Sequence, residues 1–163
     1  PLVSSGGGGG FVHYLGEDFG GGIIYYLYKD SGGVEHGLIV NKTESVFGIK
    51  WQNTATLTGA DRTEDGAYNT ALMTNSAAGT YATGLGTGWY LPSIDELGLL
   101  YYNRFSANKA LRAGGFTLLS SDDYWSSTEY STTYAYYFDF ATGYPSYGAD
   151  KYWTNSVRAV RAF

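Results

Sequence analysis

Apolar and polar positions fall into short blocks along this chain, and the blocks change period several times. GGGIIYYLY (Gly20–Tyr28) is an apolar run of strand length entered through glycines. KDSGG (Lys29–Gly33) supplies turn chemistry, and HGLIV (His36–Val40) predicts the returning strand of a hairpin. SVFGIKWQN (Ser45–Asn53) predicts a further short strand or a buried loop. The spacing then becomes helical. Thr63 can cap a helix over 64–75, with Glu64 and Asp65 in its first turn and Ala67, Ala71 and Leu72 as an apolar face. In LPSIDELGLLYYNRF, Ser93 and Glu96 form a capping box, and Ile94, Leu97, Leu100 and Tyr101 recur at helical spacing. Gly98 interrupts this second helix at a cost of about 1 kcal/mol relative to Ala.

After Ser121 the period returns to two. In YAYYFDF, Tyr134, Tyr136, Phe138 and Phe140 fall on one side of a strand, with Ala135, Tyr137 and Asp139 on the other. VRAVRAF (Val157–Phe163) is strand-like and is expected to be built into a sheet. These blocks predict an α+β fold with small antiparallel sheets, two helices and long loops. Residues 1–15 are expected to be a Gly-rich linker and 16–163 a single domain.

Composition narrows the function. Charged residues are only 15% of the chain and the net charge is -5, which argues against a nucleic-acid or anionic-membrane surface. No apolar run approaches the roughly 18 residues of a membrane span. Cysteine is absent, which excludes disulfides, thiol catalysis and cysteine-ligated metals. His13 and His36 stand apart from each other and from paired carboxylates, so they read as surface or loop histidines. GLGTG (84–88) lacks the Lys-Ser/Thr pair of a phosphate loop and reads as a turn. The Ser106–Lys109 spacing has no partner motifs. Asp122, Asp123 and Glu129 have calcium-type oxygens, although capping and loop hydrogen bonds explain them more simply. Arg158 and Arg161 fit ion-pair or packing roles. No nucleophile, base and oxyanion hole assemble, so no enzyme, cofactor or metal is expected.

Four segments carry a resemblance: HGLIV (36–40), GWYLPSIDELGLLYYNR (88–104), YWSSTEY (124–130) and VRAVRAF (157–163). Together they resemble the bacterial domain family found at the C-terminus of Legionella collagen-like adhesin and in Bacteroidetes surface and phage proteins. That family is related to the formylglycine-generating-enzyme type of C-type lectin fold, so the resemblance implies a C-type lectin-like domain. The absent cysteines exclude the copper chemistry of those enzymes. The calcium-loop motifs of animal C-type lectins are also missing, which removes support for calcium-dependent sugar binding.

Trp125–Glu129 and Val157–Phe163 also bracket a stretch as in the variable proteins of diversity-generating retroelements. There, adenine-directed mutagenesis rewrites a C-terminal repeat. Randomising the adenines of an Asn codon reaches Tyr, Ser, Thr, Asp, Gly, Ala and Pro, the residues that fill Tyr130–Tyr134 and Tyr144–Asp150. It does not reach Lys151 or Trp153, which are expected to be scaffold or to come from other codons. The resemblance thus implies a variable region over about 130–156.

Tyrosine offers broad, rigid contact area, and Ser, Thr, Gly and Asp offer adaptable hydrogen bonding, as in antibody paratopes. The candidate ligand-binding residues are Tyr130, Ser131, Thr132, Thr133, Tyr134, Tyr137, Asp139, Tyr144, Ser146, Tyr147, Asp150, Tyr152 and Thr154. Tyr136, Phe138 and Phe140 are expected to be scaffold, and Tyr137 and Asp139 to point outward between two loops. The plainer alternative is that tyrosines tile a half-buried sheet. Three roles follow. One is a hypervariable binder of a protein or glycan receptor on another cell, displayed on a bacterial surface or virion, with oligomerisation open through the N-terminal region. The others are an invariant polysaccharide-binding adhesin module and a fimbrial or fibre-tip subunit.

Overall fold

Strand β5 (Asp123–Glu129) is buried along almost its whole length, from Tyr124 through Glu129. The computed structural model of the protein describes residues 10–163. The remaining strands are β1 (Asp18–Phe19), β2 (Gly22–Lys29), β3 (Glu35–Asn41), β4 (Ile49–Lys50), β6 (Tyr134–Asp139), β7 (Tyr144–Asp150), β8 (Thr154–Asn155) and β9 (Val160–Ala162). They form three antiparallel sheets, ordered β1-β2-β3-β9, β4-β8 and β5-β6-β7. The architecture is α+β. The early hairpin forms as its pattern predicts, and the C-terminal strand closes the first sheet by pairing Val160 with Val40.

Two apolar clusters fill the interior. One gathers Ile23, Tyr25, Val40, Leu97, Leu100 and Phe138 between the first sheet, the helices and β6. The other gathers Ile24, Ile39, Trp51, Leu91, Trp125 and Val157. β2 feeds both, because its alternate residues Ile23 and Ile24 point to opposite faces. A strand buried on both faces has no polar side to reveal, so its sequence reads as a continuous apolar run.

Among the described residues four helices form where two were expected: α1 (Gly66–Leu72), α2 (Ala77–Gly84), α3 (Ile94–Tyr102) and α4 (Arg104–Ala113). α2 (AAGTYATG) has no long aliphatic side chain to mark an apolar face. It buries Ala78, Gly79 and Ala82, and Ser76 caps it through Gly79 N. α3 carries the expected capping box, with Ser93 Oγ accepting from Glu96 N and Glu96 Oε2 accepting from Ser93 N. The helical path then breaks at Asn103 and resumes as α4.

α1 departs most from its pattern. Asp65, not Thr63, caps it by accepting from Tyr68 N. Ala67 and Ala71 are exposed, and the buried positions are Gly66, Asn69 and Thr70. Polar residues turn inward because irregular backbone there needs partners. Asn69 exchanges two hydrogen bonds with the backbone of Arg62, and Thr70 Oγ1 exchanges two with Leu91.

Part of the expected 1–15 linker, residues 1–9, lies outside the described residues. Val12 N and His13 N already donate to the Glu35 carboxylate, and the His13 ring packs on Phe19 and Phe163. The domain is therefore engaged from about residue 12.

Gly66 shows how tightly the loops are drawn together. A Cβ there would sit 2.6 Å from Ser93 N and 2.8 Å from Leu91 O, both backbone atoms. Gly66→Ala is expected to lower stability by about 1–3 kcal/mol through overpacking, measured as a lower urea midpoint with an unchanged m-value. An unchanged midpoint would show that the α1–α3 junction relaxes freely.

Candidate ligand-binding surface

β5, β6 and β7 form a three-stranded ribbon, and β7, at one edge, carries Tyr144, Ser146, Tyr147 and Asp150 of the expected contact residues. Tyr144–Asp150, expected as one of the two loops flanking the strand, is strand β7. Edge strands tolerate its Pro and Gly: Pro145 needs no inward donor there, and Gly148 takes φ 108° where the register slips past it. The residues of 130–134 form the other edge of the surface as a tight turn. Tyr130 N and Ser131 N both donate to Tyr134 O, and Ser131 Oγ accepts from Thr133 N and Tyr134 N.

The ribbon separates the tyrosines by role. Tyr144 is 71% exposed and Tyr147 64%, so neither supports the core. Tyr130 and Tyr134 are also exposed, as are Thr132, Tyr152 and Thr154. Tyr147 lies against Tyr130, with ring centroids 4.9 Å apart, and half-buried Tyr136 meets both edge-on at 5.5 and 6.2 Å. Three rings thus support one another on the ribbon face, which limits their rotamer loss on binding.

The opposite face of β6 corrects an expectation. Tyr137 points only partly to solvent: half-buried, it packs on the second apolar cluster, edge-on to Trp125 at 6.4 Å. Ala135 is fully buried beside it. Alternation assigns the two faces correctly, but a second core covers part of the face taken as outer, burying Ala135 and half-burying Tyr137. Tyr136 remains only half-buried, while Phe138 and Phe140 are core residues.

Several small polar candidates shape the ribbon. Asp139 accepts from Ala141 N, Thr142 N and Thr142 Oγ1 at 2.7, 3.1 and 2.6 Å and so closes the β6–β7 turn. The Thr142 hydroxyl and amide hold its carboxyl below the usual aspartate range. Asp123, opposite it in the ladder, is pushed the other way by burial and by Asp139 and Asp122. Asp150 Oδ1 accepts from Tyr152 N, Tyr152 Oη accepts from Ala55 N, and Thr133 O accepts from Lys151 N. Ser146 is half-buried opposite Tyr137. Trp153, absent from the expected set, is 62% exposed beside these residues in sequence. Its exclusion rested on codon reach, which carries no information about exposure.

A buried ion pair closes the base of the ribbon. Lys151 Nζ lies 2.5 Å from Glu129 Oε1, and both side chains are almost fully removed from solvent. The ammonium also donates to Thr56 O at 2.9 Å and sits over the Trp51 ring. The carboxylate accepts from Thr58 N and Gly59 N. Glu129 is therefore committed to this clamp and does not join Asp122 and Asp123 in an oxygen site. Among the described residues no group of three or more His, Asp or Glu could hold a metal ion. Arg158 is likewise buried, donating to Asn41 O and Thr117 O and pairing with Glu44. Arg161 donates to Gly20 O.

Removing one partner of a buried pair strands the other charge. Lys151→Met is expected to destabilise the domain by about 3–5 kcal/mol. The Glu129→Gln/Lys151→Met double variant should recover part of that loss, because Gln retains an acceptor for the Thr58 and Gly59 amides. Chemical denaturation measures both; equal midpoints for the single and double variants would contradict the clamp.

Among curated proteins, none matches the chain. A family model described as Lcl C-terminal domain matches residues 42–161. The match takes in all four helices, the buried β5 segment, the tyrosine ribbon and the clamp. The chain belongs to the Lcl C-terminal domain family, an adhesin-like class of ligand-binding module.

Proposed function

We propose that the ribbon spanning Tyr130–Thr154 is a recognition surface for a protein or glycan on another cell, and that the domain binds rather than catalyses. The observation that carries this reading is the exposure of Tyr130, Tyr134, Tyr144 and Tyr147 on a ribbon anchored by buried residues. Large aromatic side chains left outside the core supply contact area with few rotatable bonds. The domain is then a C-type lectin-like frame displayed extracellularly, on a bacterial surface or a virion. No helix among the described residues is long and apolar enough to cross a membrane.

The same architecture accommodates retroelement diversification. The segment between Glu129 and Lys151 consists of residues that adenine mutagenesis of Asn codons can largely supply, and the clamp residues at its two ends hold the scaffold. Substitutions at exposed positions of such a ribbon change stability by only about 0.5 kcal/mol. Sequencing the gene and its flanks tests this directly. A near-identical repeat differing at adenines beside a reverse transcriptase gene is expected, and its absence makes the binder invariant.

A second reading rests on α4. Arg104, Lys109 and Arg112 lie on this one helix, make no ion pair among the described residues, and line a shallow groove of about 710 Å³ with Tyr102 and Phe105. This local basic face favours the polysaccharide-binding adhesin role despite the net charge of -5. That role predicts binding that weakens steeply with salt.

Substituting Tyr134, Tyr144 and Tyr147 together by Ala is expected to lower binding to target cells at least tenfold while shifting the melting temperature little. Neutralising Arg104, Lys109 and Arg112 should leave that binding intact. Flow cytometry with the labelled domain separates the two. If the basic variant alone loses binding, the recognition surface is α4 and not the ribbon.

A further inference from the structure

Gly98 occupies the interior of α3, where glycine costs about 1 kcal/mol relative to Ala. Its backbone is not in the left-handed region. A Cβ at this position would meet only Phe138 Cε2, at 3.5 Å, an ordinary contact. Gly66 is glycine because backbone crowds it; Gly98 has no such reason. The position is bare toward one place, a cleft of about 390 Å³ between α3 and the β6–β7 hairpin.

The cleft has a one-sided chemistry. Ile94, Leu99, Phe138 and Pro145 make it apolar, and Tyr102 stands at its edge. Asp95 is its single charged residue; the side chain is exposed and makes no hydrogen bond or ion pair among the described residues. The cleft is also continuous with the ribbon surface. Phe138 pairs with Pro145, and two residues along the same ladder face Tyr136 pairs with Tyr147. A ligand lying on the tyrosines therefore reaches the cleft within one pleat.

We propose that this cleft is a subsite for one apolar side chain of a protein ligand, with a basic residue next to it in the ligand facing Asp95. The inference rests on the ribbon being the recognition surface and assigns its partner to the protein class. An apolar floor of this size accepts a buried side chain. A sugar ring would leave its hydroxyls facing Ile94, Leu99 and Phe138 without partners, and buried polar groups without partners are costly. Gly98 leaves open the floor space that any larger residue would fill, at the expense of helix stability.

The probes are N-acetyl-Leu-Arg-amide and its neutral isostere N-acetyl-Leu-citrulline-amide, titrated into the isotope-labelled domain and followed by NMR. Saturable shifts are expected at the amides of Gly98, Leu99, Phe138 and Ser146 in the millimolar range, with the arginine peptide binding about threefold more tightly, the size of an exposed ion pair. Asp95→Asn should erase that difference. Gly98→Ala should raise the melting temperature and weaken both peptides, and Gly98→Leu should abolish their binding. If Gly98→Leu does not fold, Gly98→Ala and Asp95→Asn decide the outcome. Absent or non-saturable shifts, a melting temperature lowered by Gly98→Ala, or the same amides responding to methyl glycosides instead would each overturn the proposal. The Tyr134, Tyr144 and Tyr147 variant should retain dipeptide binding, so failure of the ribbon reading in the cell assay stays distinct from failure of the cleft.

Discussion

Long irregular segments can be buried only if their backbone groups find partners, and in this protein β5 supplies them. Ser127 N donates to Pro92 O, Thr128 Oγ1 donates to Arg62 O and accepts from Ile94 N, and Glu129 N donates to Ala60 O. Trp125 Nε1 donates to Ile49 O, while Trp51 Nε1 donates back to Ser126 O. Six consecutive buried residues thus bind the segments near 49–51, 60–62 and 92–94. Each tie is a modest gain on its own; leaving a buried group unmatched costs about 1–3 kcal/mol. The network is therefore strict about residue type although little of it is regular secondary structure.

The same logic sets the base of the ribbon. A buried ion pair is a weak source of stability because both charges lose water. Lys151 and Glu129 offset that loss with hydrogen bonds to Thr56, Thr58 and Gly59 as well as to each other. What the pair contributes is position: the residue that ends β5 and the one that follows β7 are held against one loop. The exposed residues between them, Tyr130, Tyr134, Tyr144 and Tyr147 among them, can then present side chains outward while Ala135, Phe138, Phe140 and Ala149 stay in the core. The exposed tyrosines and the buried clamp are two sides of one arrangement, in which a buried frame holds an exposed aromatic surface.

That arrangement also explains why the ribbon has unlike faces. Tyr136 and Phe138 turn toward one apolar cluster and Ala135 and Tyr137 toward the other, so β6 is held on both sides. β7, at the edge, has only one strand neighbour and carries most of the exposure. The exposed tyrosines are thereby carried largely on the edge strand and the turns beside it, and the α3 cleft adjoins them.

Local patterns determined much of this protein. The β2–β3 hairpin, the Ser93–Glu96 capping box of α3, the C-terminal strand and the core role of Phe138 and Phe140 all follow from period and cap chemistry, which act over a few residues. In the tyrosine-rich segment between Glu129 and Lys151, Tyr130, Tyr134, Tyr144 and Tyr147 are exposed, while Tyr136 and Tyr137 are half-buried. Other features were legible only in three dimensions. α2 lacks an apolar stripe because its neighbours need small residues, and α1 turns Asn69 and Thr70 inward because distant backbone requires them. Tyr137 is half-buried because a second core packs against part of the face that alternation alone assigns to solvent. Glu129 and Lys151 look like ordinary polar residues until the fold brings them together across the ribbon. Periodicity reports which side of an element a residue occupies; only packing between distant segments decides what that side meets.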